Sequence, residues 1–569
     1  MHIPKEFILL SLLLLLLLIT AKPLGSYIFS VLENTSHPLK KVFGKLESLI
    51  YRFARIDVRR NCSWTRYAMD LMGLSLISFL VTYLVLRYQH ILPLNPQSLA
   101  GLSPDLAWNT AMSFLTNTNW QAYTGEAVLS HFSQMVALTL QNFFSTAVGI
   151  TAAMAVLRGF SSENVEGIGN FSVDFVRTIL YILLPLSFIY ALVLLSQGVI
   201  QSFGGPIAAT SLEGASLLIP TGPVASQIAI KLLGTNGGGF FGTNAAHPFE
   251  NPTPLINFIQ IFSYLLIPSS LIYTMGKKVK NLRHAWSLWI TMALLLVGST
   301  YTALHFEKKG NIHLKNLGCE VTQNMEGKET RFGVVDSTLY AVTTTATSCG
   351  SANASHDSFN PMTGMILLFN ILLGEIIFGG AGSGILNMML FIVLTVFLSG
   401  LMIGRTPEYL GKKIESTEIK LATLAILITA FSILGFSAWT ALATPALSSL
   451  PETGPHGLSR ILYAFSSATA NNGSAMAGFD MNKPYWNIFL GIAMFVGRFF
   501  TIIPILALAG SMSKKKIHHD PEHSFPVHGT LFIFLLISII FVVGALTFFP
   551  ALSLGPLAEH LNMIGPKRF

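Results

Sequence analysis

Four small polar tetrads, each closing a helix-length run, recur at nearly even spacing along this chain. They are Asn117-Thr118-Asn119-Trp120, Thr235-Asn236-Gly237-Gly238, Ser348-Cys349-Gly350-Ser351 and Asn471-Asn472-Gly473-Ser474. The separations are 118 residues from Asn119 to Gly237, 113 from Gly237 to Gly350 and 123 from Gly350 to Gly473. A second match keeps the register: Leu339-Tyr340-Ala341 and Leu462-Tyr463-Ala464 begin eleven residues before Gly350 and Gly473. Self-similarity at a fixed period means one structural unit used repeatedly. Here it restricts the chain to a pseudo-fourfold arrangement.

Composition says what the unit is made of. The 569 residues are 51% hydrophobic and only 11% charged, against roughly 25% charged in soluble domains, so the chain is a polytopic membrane protein. Apolar stretches of about 20 residues, the length that crosses the hydrocarbon core, predict ten spans near 7–30, 64–88, 130–157, 174–203, 254–276, 284–305, 362–400, 419–442, 484–511 and 529–550. Ten spans put both termini on one side. Basic residues cluster after odd-numbered spans: Lys40, Lys41, Arg52, Arg55, Arg59 and Arg60, then Lys277, Lys278, Lys280 and Arg283, then Lys514, Lys515 and Lys516. Those loops are expected in the cytoplasm and both termini outside. This topology accounts for the net charge of +8 without a nucleic-acid partner. The first apolar run is expected to stay as a helix rather than be cleaved, because it continues through Tyr27, Ile28 and Phe29. Cys62, Cys319 and Cys349 have neither metal-site nor disulfide-framework spacing.

Each repeat reads as outer helix, short descending helix, tetrad and inner helix. The expected divisions are 1–63 (first span and basic loop), 64–160, 161–283, 284–415 and 416–516 (the four repeats) and 517–569 (last span). The short helices are expected at 104–116, 221–233, 337–347 and 458–470, and 304–336 is an insertion capping the outer face. Irregular backbone at membrane depth survives only when buried in protein or lining a wet path, so the tetrads must face one another. Gly and Asn permit the dihedrals that turn successive carbonyls inward, where they replace a cation's hydration shell. Each short helix also aims its partially negative C-terminal end at the centre. Thr118, Asn119, Thr235, Asn236, Gly237, Ser348, Cys349, Gly350, Asn471, Asn472 and Gly473 are therefore the candidate filter, with Gln121 beside it, for a dehydrated monovalent cation. Residues 237–242 also fit GxGxxG, but no strand precedes them, and the match carries no dinucleotide.

These segments resemble a known family: TNTNWQ at 116–121, GTNGGGFFGTNAAHPFENP at 234–252, TSCG at 347–350 with HDS at 356–358, and ATANNGS at 468–474. They are similar to the potassium-binding A subunit (KdpA) of bacterial Kdp potassium-transporting ATPases, over essentially the whole chain. The resemblance implies an all-helical fold of the Trk, Ktr and Kdp potassium-transporter superfamily, with ten membrane helices and four filter loops. It also implies K+ as the transported ion with no organic cofactor, and a place in the bacterial inner membrane. The implied partners are the P-type ATPase subunit KdpB, with KdpC and the small KdpF peptide, all surrounded by membrane lipid. Asn119 in place of a filter glycine is itself a feature of that family.

Two ionisable residues fall inside predicted spans. Glu375 lies 14 residues after Pro361 and Arg498 lies 14 after Pro484. At 1.5 Å per residue both are expected about 20 Å along equivalent inner helices, either as a structural ion pair or with Arg498 as a positive barrier below the filter. Gly379, Gly380, Gly382 and Gly384 predict a break in the seventh span, which in the resembled superfamily gates the inner pore; close helix packing through small residues is the alternative. Residues 405–415 (RTPEYLGKKIE) read as a short amphipathic helix with Pro at its start. The family implies contact with the ATPase subunit there, through Arg405. The chain carries neither a Walker A motif nor an Asp-Lys-Thr-Gly phosphorylation motif, so it is expected not to hydrolyse ATP itself. No opposed histidine pairs inside spans suggest haem, which disfavours a membrane enzyme. A stand-alone Trk or Ktr type potassium channel is the nearer rival, disfavoured by the long 234–252 signature and the extra terminal spans.

Overall fold

A computed structural model describes residues 4–320, 322–518 and 525–565. Ten of its helices are long and apolar enough to cross a membrane, and the chain is an all-helical multi-pass membrane protein. Outer and inner helices are Trp64–Arg87 and Ser133–Ser161 in repeat 1, Phe171–Ser196 and Pro254–Lys278 in repeat 2, and Ser416–Thr440 and Pro484–Ser513 in repeat 4. Repeat 3 has Leu282–Glu307 outside and a divided inner helix, Pro361–Leu372 then Ser383–Met402. Between each outer and inner helix lies a short one: Pro104–Leu115, Val224–Leu233, Gly333–Ala346 and Pro455–Ala470. The longest has 16 residues, about 24 Å of rise. That is less than the roughly 30 Å core, so the chain must turn back to the side it came from.

Local chemistry sets these boundaries. Three inner helices begin on Pro254, Pro361 and Pro484, where a missing N–H costs nothing and φ is already helical. Ser103 and Thr253 cap the helices that follow them by accepting from Leu106 and Ile256 backbone N–H groups. In repeat 1 the apolar window is 83% buried in the inner helix but 28% in the outer, so the inner helix faces the protein core and the outer one presents its surface to lipid. The first span, Lys5–Leu32, packs on the inner helix of repeat 2: Thr274 Oγ1 donates to the Gly25 carbonyl at 2.9 Å, and a Cβ at Gly25 would collide with the Ser270 carbonyl. The outer insertion is pinned by a fully buried pair, Lys328 Nζ to Glu307 at 2.9 Å.

Three features depart from the sequence reading. The seventh span is interrupted over 373–382, a wider break than the glycine run alone; Gly384 falls in the first turn of the next helix. Residues 405–415 form a hairpin, not a helix. Glu408 pairs with Lys413 and Tyr409 with Lys412 across a two-residue turn with Leu410 at φ 53 and Gly411 at φ 75, the type I′ geometry. The hairpin wins because its inward side chains find partners. Tyr409 Oη meets His284 Nε2 at 2.9 Å, and Lys412 Nζ donates to the carbonyls of Gly159 (3.1 Å), Met512 (2.7 Å) and Ser162. Gly159 and Met512 end the inner helices of repeats 1 and 4, whose last carbonyls have no intrahelical donor. Burial pulls the Lys412 ammonium down to about 8. The third feature is a hairpin, Ile207–Thr210 with Ser216–Ile219, between the outer and short helices of repeat 2.

Candidate functional site

The four tetrads meet in a closed ring. Each carries two left-handed residues around a middle residue of ordinary φ: Asn117 (67°) and Asn119 (55°), Thr235 (52°) and Gly237 (90°), Ser348 (60°) and Gly350 (74°), Asn471 (64°) and Gly473 (93°). Alternating the hand of successive residues turns successive carbonyls to the same side of the strand, which an ordinary strand cannot do. Glycine is forced at the third position of three tetrads by neighbours as well as by φ. A Cβ at Gly237 would fall on the Cys349 carbonyl, one at Gly350 on the Asn472 carbonyl, and one at Gly473 on the Thr118 carbonyl. Asn119 closes the ring against the α-carbon of Gly238, where a Cβ would lie 2.7 Å from both the Asn119 Cβ and its carbonyl oxygen.

Side chains tie each tetrad to the next. Asn117 Nδ2 donates to the Thr235 carbonyl at 3.0 Å, while its Oδ1 accepts from Asn236 Nδ2 at 2.6 Å and Ser145 Oγ at 2.8 Å. Gln121 exchanges two 3.0 Å bonds with the backbone of Gly239. Ser348 Oγ donates to the Asn471 carbonyl at 3.0 Å, and Asn471 Nδ2 to Thr118 Oγ1 at 3.0 Å. Asn119 Nδ2 reaches Asn142 Oδ1 at 2.8 Å. Tyr340 meets Ser351 at 2.7 Å and Tyr463 meets Ser474 at 2.9 Å, the same brace twice, which is the physical content of the Leu-Tyr-Ala repeat. Against this dense bonding, the middle carbonyls of Thr118, Asn236, Cys349 and Asn472 accept no hydrogen bond among the described residues, nor do those of Asn119, Gly350 and Gly473. Buried carbonyls without donors are rare, and this ring gathers seven of them.

The eighth carbonyl, that of Gly237, is different. It accepts from Asn244 Nδ2 at 2.7 Å. Asn244 Oδ1 in turn accepts from Lys231 Nζ at 2.7 Å and Ser351 Oγ at 2.9 Å. Lys231, 1% exposed, pairs with Glu250, 0% exposed, at 2.7 Å. Since an ammonium and a backbone N–H can only donate, Lys231 and the Ala245 N–H, which reaches the same Oδ1 at 2.8 Å, together fix which way the Asn244 amide faces. The sequence reading did not single out Lys231, Glu250, Asn244 or the Asn117 side chain. A cation inside a short apolar helix and a carboxylate within the 234–252 run were the available signals.

The broken inner helix of repeat 3 lies directly against the ring. Ala381 N–H donates to Thr235 Oγ1 at 2.9 Å, a Cβ at Gly380 would lie 3.1 Å from Ser348 Cβ, and Gly382, at φ 100, packs on the backbone of Gly149. Gly379 touches the Glu375 carbonyl across the loop. Glu375 is in this loop, at φ 52, and not 20 Å along a helix: the helix from Pro361 stops at Leu372. Its carboxylate accepts from Asn472 Nδ2 at 2.6 Å. Arg498 instead donates through Nη2 to the Ser145 carbonyl at 2.9 Å, and its Nε has no partner among the described residues. The two charges do not pair: Glu375 supports the ring residue Asn472, and Arg498 the Ser145 carbonyl beside the ring. Arg498 borders a small cavity with Asn471, Gly374, Ser383 and Asn387, and a second cavity sharing Gly374, Asn387 and Thr501 continues to Gly544 and Phe548 of the last span. Arg405 is exposed just before the hairpin.

Comparison with known proteins identifies the family and the fold. Residues 11–561 match the family described as potassium-transporting ATPase A subunit. The potassium-transporting ATPase potassium-binding subunit of Solibacter usitatus is 51% identical over 543 residues, 95% of each chain. That of Rhodospirillum centenum is 51% identical over 547 residues, 96% of each. Among solved structures, the potassium transporter TrkH from Vibrio parahaemolyticus superposes with a TM-score of 0.52 at 15% identity, covering 88% of this chain and 98% of its own, which is a relation of fold. The chain belongs to the family of potassium-transporting ATPase A subunits.

Proposed function

We propose that the ring of tetrads is the selectivity filter of an ATP-driven potassium uptake complex, taking K+ from the outer face through Thr118, Asn119, Thr235, Asn236, Gly237, Ser348, Cys349, Gly350, Asn471, Asn472 and Gly473. The observation that carries this reading is the set of donor-free carbonyls held at fixed spacing by the Asn117, Gln121, Ser348 and Asn471 cross-links. Carbonyl oxygens in that state substitute for a monovalent cation's water. The loop 373–382 closes the path below, and the Arg498 guanidinium beside it repels a cation that moves straight on. The two adjoining cavities that share Gly374 and Asn387 support a sideways exit towards the ATPase subunit. In this reading the chain sits in the bacterial inner membrane with both termini outside, the six divisions of the sequence being its working parts. Its partners are KdpB, KdpC and KdpF, with the hairpin after Arg405 as a coupling surface. Purification of the complex through this subunit tests it: a P-type ATPase should come with it, and hydrolysis should rise with K+. If none does, and vesicles holding this chain alone conduct K+, the chain is a self-sufficient channel.

A further inference from the structure

We infer that the helix Lys40–Phe53 is an in-plane membrane anchor that selects anionic phospholipid. It lies between the end of the first span and the start of the second. At 100° per residue its 14 residues separate into three faces. Phe43, Glu47, Ile50 and Tyr51 point to the protein: Glu47 accepts from Arg177 at 2.9 Å, Tyr181 at 2.7 Å and Tyr51 at 2.8 Å. Val42, Leu46, Leu49 and Phe53, within an arc of about 60°, are left open at 66, 43, 62 and 92% exposure. Lys41, Lys45 and Arg52, within about 40°, form an exposed row beside them.

The depth of the helix is fixed by its neighbours. Arg177 and Tyr181 lie 6 and 10 residues into the helix that starts at Phe171, about 9 and 15 Å along it. The charged cluster of Glu33, Arg158, Asp174 and Lys278, at the ends of four spans, marks the adjoining boundary between hydrocarbon and water. An apolar stripe held at that level meets acyl chains, and the basic row beside it meets headgroups. Cationic side chains at that height favour phosphatidylglycerol or cardiolipin over a zwitterionic headgroup. A protein partner fits less well, because three cations with no ion pair among the described residues would flank its contact.

The test is photo-crosslinking in native membranes of the assembled full-length chain. p-Benzoylphenylalanine replaces Phe53 or, as a control, Phe534, 69% exposed on the last span. Adducts are identified by mass. The expected result is lipid adducts at position 53 with the anionic share at least about threefold above that at 534, falling to the 534 ratio in Lys41→Gln/Lys45→Gln/Arg52→Gln, whose own 534 adducts stay unchanged. Protein adducts at position 53, no adducts there, or the same headgroup ratio at both positions would each overturn the inference.

Discussion

Replacing Lys231 by Met removes the cation that pairs with a fully buried Glu250. Breaking a buried ion pair by taking one partner costs about 3–5 kcal/mol, so Lys231→Met should lower thermal stability sharply. Lys231→Met/Glu250→Gln leaves no orphaned charge, and the amide oxygen introduced at position 250 still accepts from Phe241 N–H, as the Glu250 carboxylate does at 2.9 Å. Exchanging a whole buried pair for neutral groups is often near neutral, so the double variant should recover most of the loss. Potassium affinity should not recover with it. The ammonium, together with the Ala245 N–H, turns Asn244 Oδ1 towards position 231 and Nδ2 towards the Gly237 carbonyl. Without the ammonium the amide is held only by the Ala245 N–H and Ser351 Oγ, so its hydrogen bond to Gly237, about 1 kcal/mol when intact, weakens, and the apparent KM for K+ should rise by up to about fivefold with kcat little changed. The assays are thermal unfolding of the purified complex and K+-stimulated ATP hydrolysis. A double variant with both wild-type stability and wild-type KM would refute the reasoning, and so would a single variant as stable as wild type.

Other consequences follow from the same geometry. His456 bridges Asp357 at 3.2 Å and Glu559 at 2.8 Å, and those two carboxylates raise it from 6.5 to about 9. A raised pKa contributes stability in full below about 6.5 that fades as pH passes about 9; melting temperature should therefore fall across that window in wild type and less in His456→Gln. Arg498→Met, which can no longer donate to the Ser145 carbonyl, should admit passive K+ leakage in vesicles without ATP; tight vesicles would argue against a barrier. Charge reversal at Arg405 should separate ATP hydrolysis from uptake, read as a fall in ions moved per ATP. Lys412→Met removes a donor from three carbonyls, of which Met512 keeps the Lys515 N–H, and should cost about 2–4 kcal/mol of stability.

The architecture was legible because its signals are repeated. Ten apolar runs marked the spans, and four tetrads marked the ring and its glycines, since only φ-permissive residues fit where Gly237, Gly350 and Gly473 touch the next tetrad's carbonyl. What the sequence concealed was long-range partnership. Glu375 and Arg498 look equivalent by counting from Pro361 and Pro484, but counting assumes an unbroken helix, and the chain unwinds at 373–382. The 405–415 segment has helix-like charge spacing, yet Tyr409 and Lys412 find His284 and the ends of two inner helices only as a hairpin. Lys231 and Glu250 are 19 residues apart and meet through a fold that no local pattern describes.

The most direct measurement is ATP hydrolysis by the complex purified through this subunit, titrated with K+, Rb+ and Na+, for wild type and Gly237→Asp. If the ring selects the ion, wild type responds at low K+ and not to Na+. In the variant, a side chain at position 237 is forced against the Cys349 carbonyl and sets a carboxylate beside the free oxygens, which should raise the K+ requirement and narrow the gap between ions. An unchanged ion series in Gly237→Asp would contradict selection at the ring.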